Sequence, residues 1–219
     1  MSSRIPPRSS LASALAFLFF GCLLNLAASA EGRPAGSVET VVQTKYGPIQ
    51  GFKYNGTVNF LGIPYASPPL NDLRFASPVP PTPWKDVLNT TRLSPGCPQQ
   101  CKLPVFMCPT EQSEDCLYLN VYVPDKTPPP EGWPVFTFIH GGSFTEGAGG
   151  CVAYNGRQFA RQDVVLVNMN YRLGALGWLA YEDQIHGNFG LQDQRFALEW
   201  VRDNIEAFGG DKVSRDQQY

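Results

Sequence analysis

Val135-Phe136-Thr137-Phe138-Ile139 is an uncharged apolar run that stops at His140-Gly141-Gly142-Ser143-Phe144. A second such run, residues 164–168, precedes Tyr171-Arg172-Leu173-Gly174. Short apolar runs without alternation are typical of strands covered on both faces. Residues 190–208 would supply a cover, because apolar residues recur there at helical spacing and Gly209 stands where a left-handed cap is expected. Strands joined by glycine-bearing loops and followed by a helix predict an α/β fold.

Upstream of these runs, the sequence predicts further strands and one long irregular crossing. Residues 40–44 and 49–54 flank a Gly-Pro turn and predict an antiparallel hairpin. Residues 117–123 are rich in β-branched and aromatic residues and predict a strand. Prolines in residues 64–83 exclude a regular helix or a central strand there.

Composition and charge exclude several classes of function. The 219 residues are 43% hydrophobic and 16% charged, with 17 basic and 19 acidic side chains and a net charge of −2. Nucleic-acid binding rests on a clustered basic surface, which this sequence lacks, so no nucleic-acid partner is predicted. The only histidines, His140 and His186, stand in different contexts, so no metal site is predicted. No motif implies a cofactor.

The N-terminus predicts a secretory signal. Residues 1–30 combine a positive start, an apolar run at 11–24 and a small-residue triplet before Glu31. A transmembrane helix is the alternative, but that run is shorter than the roughly 20 residues that cross a bilayer. We therefore expect a secreted protein with no membrane span after cleavage. Secretion would make the sequons at Asn55 and Asn89 usable for glycosylation.

Four cysteines cluster between the predicted signal and the central strands. Cys97, Cys101, Cys108 and Cys116 have spacings that do not form paired zinc knuckles, and an oxidising compartment favours disulfides. Their connectivity does not follow from the sequence. Cys151 is left over and is interpreted as a small buried hydrophobe, with an unpaired thiol as the alternative.

The glycine turn after Ile139 is the candidate site for chemistry. A turn with so little side-chain bulk lets backbone N–H groups approach a ligand closely, and donors held in this way stabilise a developing oxyanion. The alternative is a glycine turn that serves only the chain reversal. Phosphate-loop interpretations fail, because the Gly142 to Gly147 stretch is not followed by Lys and Ser/Thr, and Gly147-Ala148-Gly149 lacks a third glycine at the required offset.

Eight segments together resemble the N-terminal part of type-B carboxylesterases, the group that includes the cholinesterases. They are FLGIPYA (60–66), LRF (73–75), SEDCLYLNV (113–121), HGGSF (140–144), NYRLG (170–174), GNFGLQDQ (187–194), ALEWV (197–201) and AFGGD (207–211). The resemblance implies that residues 31–213 are the N-terminal part of an α/β-hydrolase domain. Residues 214–219 depart from the pattern as a polar tail.

The resemblance also implies roles for individual residues. The backbone N–H groups of Gly142 and Ser143 would belong to an oxyanion hole, and Phe144 would line the acyl side of the substrate pocket. His140 would position the loop rather than act as general base. Two structural ion pairs are implied, Arg74–Glu114 and Arg172–Asp193.

For the cysteine cluster, the resemblance implies a Cys97–Cys116 disulfide that closes a loop over the pocket mouth, with Cys101 and Cys108 paired inside it. Cholinesterases carry a tryptophan in this loop that binds a quaternary ammonium. Here the only aromatic residue between Cys97 and Cys116 is Phe106, so choline esters are not predicted as substrates.

A serine nucleophile is missing from the 219 residues. The family's nucleophile elbow is G-x-S-x-G, and no serine in this sequence has glycine two residues before it and two residues after it. Ser143 has Gly141 at −2 but Thr145 at +2. The sequence thus predicts a hydrolase of small carboxylic esters that is truncated before the nucleophile elbow, and no activity for this chain alone. A fragment or mis-joined gene, a natural truncated product and a non-catalytic, cholinesterase-like adhesion module remain open as explanations.

Overall fold

The strands of the described part of the chain form two sheets. The computed structural model describes residues 40–212, so the predicted signal at 1–30 and the predicted tail at 214–219 lie outside the described residues. The strands are β1 (Val41–Gln43), β2 (Pro48–Gln50), β3 (Phe52–Tyr54), β4 (Thr57–Pro64), β5 (Leu88–Asn89), β6 (Tyr118–Pro124), β7 (Val135–Ile139) and β8 (Val165–Met169). A small sheet has the order β1-β2-β5, and a five-stranded sheet has the order β3-β4-β6-β8-β7.

The predicted hairpin is confirmed only in part. β1 and β2 pair antiparallel around the turn, but the second arm ends at Gln50. Gly51 then lies so close to β4 that an added Cβ would collide with the carbonyl oxygen of Asn59. The chain changes sheets at this glycine, and β3 pairs with β4 instead. The prediction of one continuous strand over residues 49–54 was therefore wrong beyond Gln50.

The last two strands of the five-stranded sheet, β8 and β7, are parallel. β7 and β8 pair in register from Val135 opposite Val165 to Ile139 opposite Met169. All five residues of β8 are buried, as a strand covered on both faces requires. β7 differs from the prediction, because it ends the sheet and leaves Phe136 39% exposed. Parallel strands bring their carboxyl ends to one edge, so the loops that follow Ile139 and Met169 lie side by side.

Among residues 40–212, three α-helices connect or cover the strands. They are α1 (Arg157–Arg161), α2 (Gly174–Trp178) and α3 (Phe189–Asn204). The helix predicted over residues 190–208 is α3, but its last turn, Ile205–Phe208, is a 3-10 helix. Gly209 then adopts the expected left-handed conformation, with φ of 78°. Within residues 40–212, no helix has the length and apolarity that a membrane crossing requires.

The core lies between α3 and the five-stranded sheet. Trp200 and Val201 of α3 belong to one buried cluster with Val167 and Met169 of β8. Phe208 meets Phe60 of β4 edge to face, with ring centroids 5.0 Å apart. Full burial of one such side chain is worth about 1.5–3 kcal/mol. This packing fixes β8, and through it the edge of the sheet at which the glycine turn begins.

Candidate active site

The turn after β7 has an unusual backbone. Gly142, Ser143 and Phe144 have φ values of 121°, 52° and 62° in succession. The carbonyl oxygen of Gly142 accepts hydrogen bonds from the N–H groups of Thr145 and Glu146, at 3.0 and 3.1 Å. Non-glycine residues held at positive φ cost of order 1–3 kcal/mol each and cluster at functional sites.

This backbone leaves the N–H groups of four consecutive residues, 141–144, without a hydrogen-bond partner among residues 40–212. With the Gly142 carbonyl directed back into the turn, the N–H groups of Gly142 and Ser143 are among these four. The glycine is needed at this position, because an added Cβ would collide with the carbonyl oxygen of Glu146. Two consecutive free N–H groups can donate to one oxygen atom of a ligand.

Phe144 is fixed at its backbone but open at its ring. Its carbonyl oxygen accepts the N–H of Gly174 at 2.8 Å, which joins the turn to the start of α2. Its ring contacts Trp178 of α2, with centroids 4.5 Å apart, and the residue remains 53% exposed. A half-exposed ring beside the free donors suits the lining of an acyl pocket.

His140 is buried beneath the turn. It is 2% exposed, and its ring stacks on that of Tyr171 at 4.4 Å. Burial lowers the pKa of His140 to about 4, so the ring is neutral near pH 7. Its Nδ1 lies 2.9 Å from the carbonyl oxygen of Gly141, and this contact requires the proton on Nδ1. A neutral, buried ring held in this way suits a positioning role and not that of a general base.

Two amides that the sequence analysis missed also hold the turn. Asn170 accepts the N–H of Gly149 at 2.9 Å and donates to the carbonyl of Pro95 at 3.0 Å. Gln99 bonds to Gly147 from the cysteine loop. The segment NYRLG indicated the neighbourhood of Asn170, but no local motif indicated Gln99.

Two disulfides are present in the cysteine loop. Cys97 pairs with Cys116 and Cys101 with Cys108, which are the partners that the resemblance implied. Cys151 is free and buried, and its thiol donates to the carbonyl oxygen of Met107. Burial raises the pKa of this thiol, which keeps it protonated and unreactive at neutral pH.

Both expected ion pairs are present, in different environments. Arg172 and Asp193 are 3% and 0% exposed and form two side-chain hydrogen bonds of 2.8 Å. Burial raises the pKa of Asp193, and the guanidinium of Arg172 opposes that shift. Arg172 also donates to the carbonyl oxygen of Ala76 at 2.9 Å. Arg74 and Glu114 form an exposed bidentate pair at 2.6 and 3.0 Å.

The remaining predicted residues lie on the surface. Asn55 occupies the exposed turn between β3 and β4, and Asn89 is exposed at the end of β5. Both are open to a modifying enzyme. Within residues 40–212, no three His, Cys, Asp or Glu side chains converge as a metal site would need. No hydrogen bond joins Ser143 to either histidine in this part of the chain.

Comparison with known proteins identifies relatives for most of the chain. The Carboxylesterase family profile matches residues 38–214. Juvenile hormone esterase of Tribolium castaneum is 47% identical over 178 residues, which is 78% of this chain and 30% of that protein. Para-nitrobenzyl esterase of Bacillus subtilis is 46% identical over 178 residues, or 78% of this chain and 36% of that protein. Cholinesterase of Mus musculus is 42% identical over 198 residues, or 84% and 32%.

The solved structures that resemble this chain are also esterases. A thermophilic pNB esterase superposes with a TM-score of 0.74 at 44% identity, covering 80% of this chain and 37% of the esterase. The pNB esterase itself gives 0.72 at 45% identity, covering 80% and 36%. The predicted α/β-hydrolase fold is confirmed. The chain spans about a third of the length of these relatives, from 30% to 37%. Family profile, relatives and fold agree that the chain belongs to the carboxylesterase family.

Proposed function

We propose that this chain provides the oxyanion-binding part of a secreted serine hydrolase that acts on small-molecule carboxylic esters. The observation that carries the proposal is the pair of free N–H groups at Gly142 and Ser143, held at the edge of the sheet by a strained turn. Their donors are backbone groups, so the serine side chain at position 143 does not change the number of hydrogen bonds offered.

In this proposal the two N–H groups bind the carbonyl oxygen of the ester. When a serine attacks the carbonyl carbon, negative charge develops on that oxygen and both hydrogen bonds strengthen. One such donor is worth roughly 2.7–4 kcal/mol in the transition state. Phe144 would contact the acyl group, and His140 would hold the peptide before the donors in place. Choline esters are not proposed, because the segment between Cys97 and Cys116 contains no tryptophan.

The nucleophile, the acid and the catalytic histidine are assigned to sequence outside these 219 residues. No serine here has glycine at both the −2 and +2 positions, so we propose that the chain alone does not turn over esters. In the same proposal, residues 1–30 are a signal, residues 31–213 are the N-terminal part of the domain, and residues 214–219 are a divergent tail. The disulfides fit an oxidising compartment, and Asn55 and Asn89 are proposed glycosylation sites.

A second candidate is a non-catalytic, cholinesterase-like interaction module. A relative from Dictyostelium discoideum, 47% identical over 167 residues, is named "Crystal protein", a name that states no reaction. The match covers 76% of this chain and 30% of that protein. In such a module the fold would persist while the serine of the elbow is replaced.

One experiment separates these candidates. The transcript is sequenced beyond the codon for Tyr219, and the longest product and the 219-residue polypeptide are both treated with a fluorophosphonate. We expect stoichiometric labelling and p-nitrophenyl ester hydrolysis by the longer product only. Labelling of the 219-residue polypeptide would contradict its proposed inactivity. A longer product with a replaced serine and no labelling would favour the interaction module.

A further inference from the structure

The side chain of Gln99 forms hydrogen bonds in both directions with one residue of the glycine turn. Its Oε1 accepts the N–H of Gly147 at 2.7 Å, and its Nε2 donates to the carbonyl oxygen of Gly147 at 2.8 Å. The other Nε2 hydrogen is directed at the carbonyl oxygen of Cys97, at 3.0 Å. The Gln99 side chain thus satisfies both the N–H and the carbonyl oxygen of Gly147, as a paired strand would.

Gln99 lies in a cross-linked part of the cysteine loop. It lies between Cys97 and Cys101, which belong to the two disulfides, and its own N–H donates to Oε1 of Gln112 at 2.8 Å. Cross-links of this kind restrict the conformations open to a loop. The backbone of Gln99 is therefore held by a disulfide-bonded cysteine on each side.

A second contact reinforces this connection. The N–H of Lys102 donates to the carboxylate of Glu146 at 2.5 Å, one residue before Gly147. Glu146 is also a residue whose N–H bonds to the carbonyl oxygen of Gly142. The cysteine loop and the turn are thus joined at two adjacent residues of the turn.

Gly147 in turn packs on the peptide that precedes the donors. It has φ of 109°, and an added Cβ would lie 2.5 Å from Nδ1 of His140 and 2.6 Å from the carbonyl oxygen of Gly141. Gly147 therefore packs closely against His140 and the Gly141 carbonyl, with no room for a side chain between them. Because Ser143 and Phe144 are strained by their positive φ, we expect a turn that loses its hydrogen bonds to Gln99 to relax toward negative φ.

We propose that Gln99 is a positioning residue, which holds the turn of residues 142–147 in the conformation that exposes the two free N–H groups. The inference rests on the proposed function for its catalytic consequence, but its structural part can be tested without any turnover. The two hydrogen bonds from Gln99 to Gly147 are the ones that oppose relaxation of the strained turn, and the third, to Cys97, holds the Gln99 amide in position.

The test uses the longest product of the gene in three forms: unaltered, Gln99→Ala and Gln100→Ala. Gln100 is the matched control, because it is the exposed neighbour with no side-chain hydrogen bond in the described residues. Amide hydrogen exchange is measured at Thr145 and Glu146, whose N–H groups bond to Gly142 and not to Gln99. We expect at least tenfold faster exchange at both amides in Gln99→Ala and no change in Gln100→Ala.

A catalytic measurement completes the test. With p-nitrophenyl esters, Gln99→Ala should lower kcat at least tenfold and leave KM within about threefold, because the donors act mainly on the transition state. If Gln99→Ala does not fold, Gln99→Met preserves the volume while removing the same bonds. Unchanged exchange, or equal changes in both variants, would overturn the inference, and so would faster exchange with unaltered kcat. Absence of turnover in the unaltered protein would instead count against the proposed function, and the exchange data would still decide the role of Gln99.

Discussion

At the scale of single residues, the two adjacent glycines of the turn differ in their tolerance of a side chain. Nothing lies within 4 Å of a Cβ added to Gly141, whereas one added to Gly142 would collide with the carbonyl oxygen of Glu146 at φ of 121°. In an active longer product, Gly142→Ala should lower kcat/KM by about 10²–10³-fold, the loss that follows removal of one oxyanion donor. Gly141→Ala should stay within about threefold. Equal losses of kcat/KM in the two variants would contradict a specific need for glycine at position 142.

His140 makes stability depend on pH. Its pKa in the folded protein is about 4, and that of an exposed histidine is about 6.5, so the unfolded chain takes up the proton first as pH falls. The contribution of neutral His140 to the free energy of unfolding is therefore fully present above about pH 7.5. It is lost as the pH falls from about 6.5 to about 4. From pH 7.5 to 4.5, urea unfolding of the unaltered protein should lose about 2–3 kcal/mol more than that of His140→Gln. An equal loss in the two proteins over this pH range would contradict the assignment of the effect to His140.

Residues differ in how far the sequence could predict their roles. Gly142 and Ser143 were indicated because a short motif after an apolar run has a known chemical use. Gln99 was not, because its partner Gly147 lies 48 residues away and the contact exists only after folding. His140 is intermediate: its place in the motif indicated a role in the loop, but its burial and its stacking on Tyr171 required coordinates.

At the scale of elements, apolar strands were predicted well and short helices were not. β7 matches residues 135–139, and β8 is shifted by one residue from 164–168. The helices α1 and α2 have five residues each, too few for a periodic pattern to show, and neither was predicted. The broken hairpin depended on the approach of Gly51 to β4, a tertiary contact that local propensity does not contain.

The Arg172–Asp193 pair joins the loop after β8 to α3, and its loss should loosen both elements. Arg172→Met leaves a buried carboxylate without its partner and should lower the free energy of unfolding by about 3–5 kcal/mol. Arg74→Met is the matched control, because the Arg74–Glu114 pair is exposed and screened by water. Chemical denaturation of both variants measures the difference. A double variant, Arg172→Met with Asp193→Leu, should recover part of the loss, and its failure to do so would contradict a desolvation cost.

At the scale of the whole molecule, β7 pairs with β8 along one side, and in the described part of the chain its other side is open along most of its length. Among residues 40–212, the open side has one bridge, in which the N–H of Trp133 donates to Gly209 and that of Asp211 donates to Trp133. The sequence did not predict which strand would lie at the edge of the sheet, because that depends on the strand order.

An open, uncharged edge strand is a template for pairing with another chain. We therefore expect the 219-residue polypeptide to associate through β7, where Val135, Thr137 and Leu198 line an open groove between the strand and α3. Thr137→Lys should weaken the association at least tenfold in sedimentation velocity, because a buried lysine charge opposes strand pairing. Thr127→Lys adds the same charge on an exposed loop and should leave association unchanged. Equal effects of the two lysines would attribute association to net charge and would refute a specific role for the β7 edge.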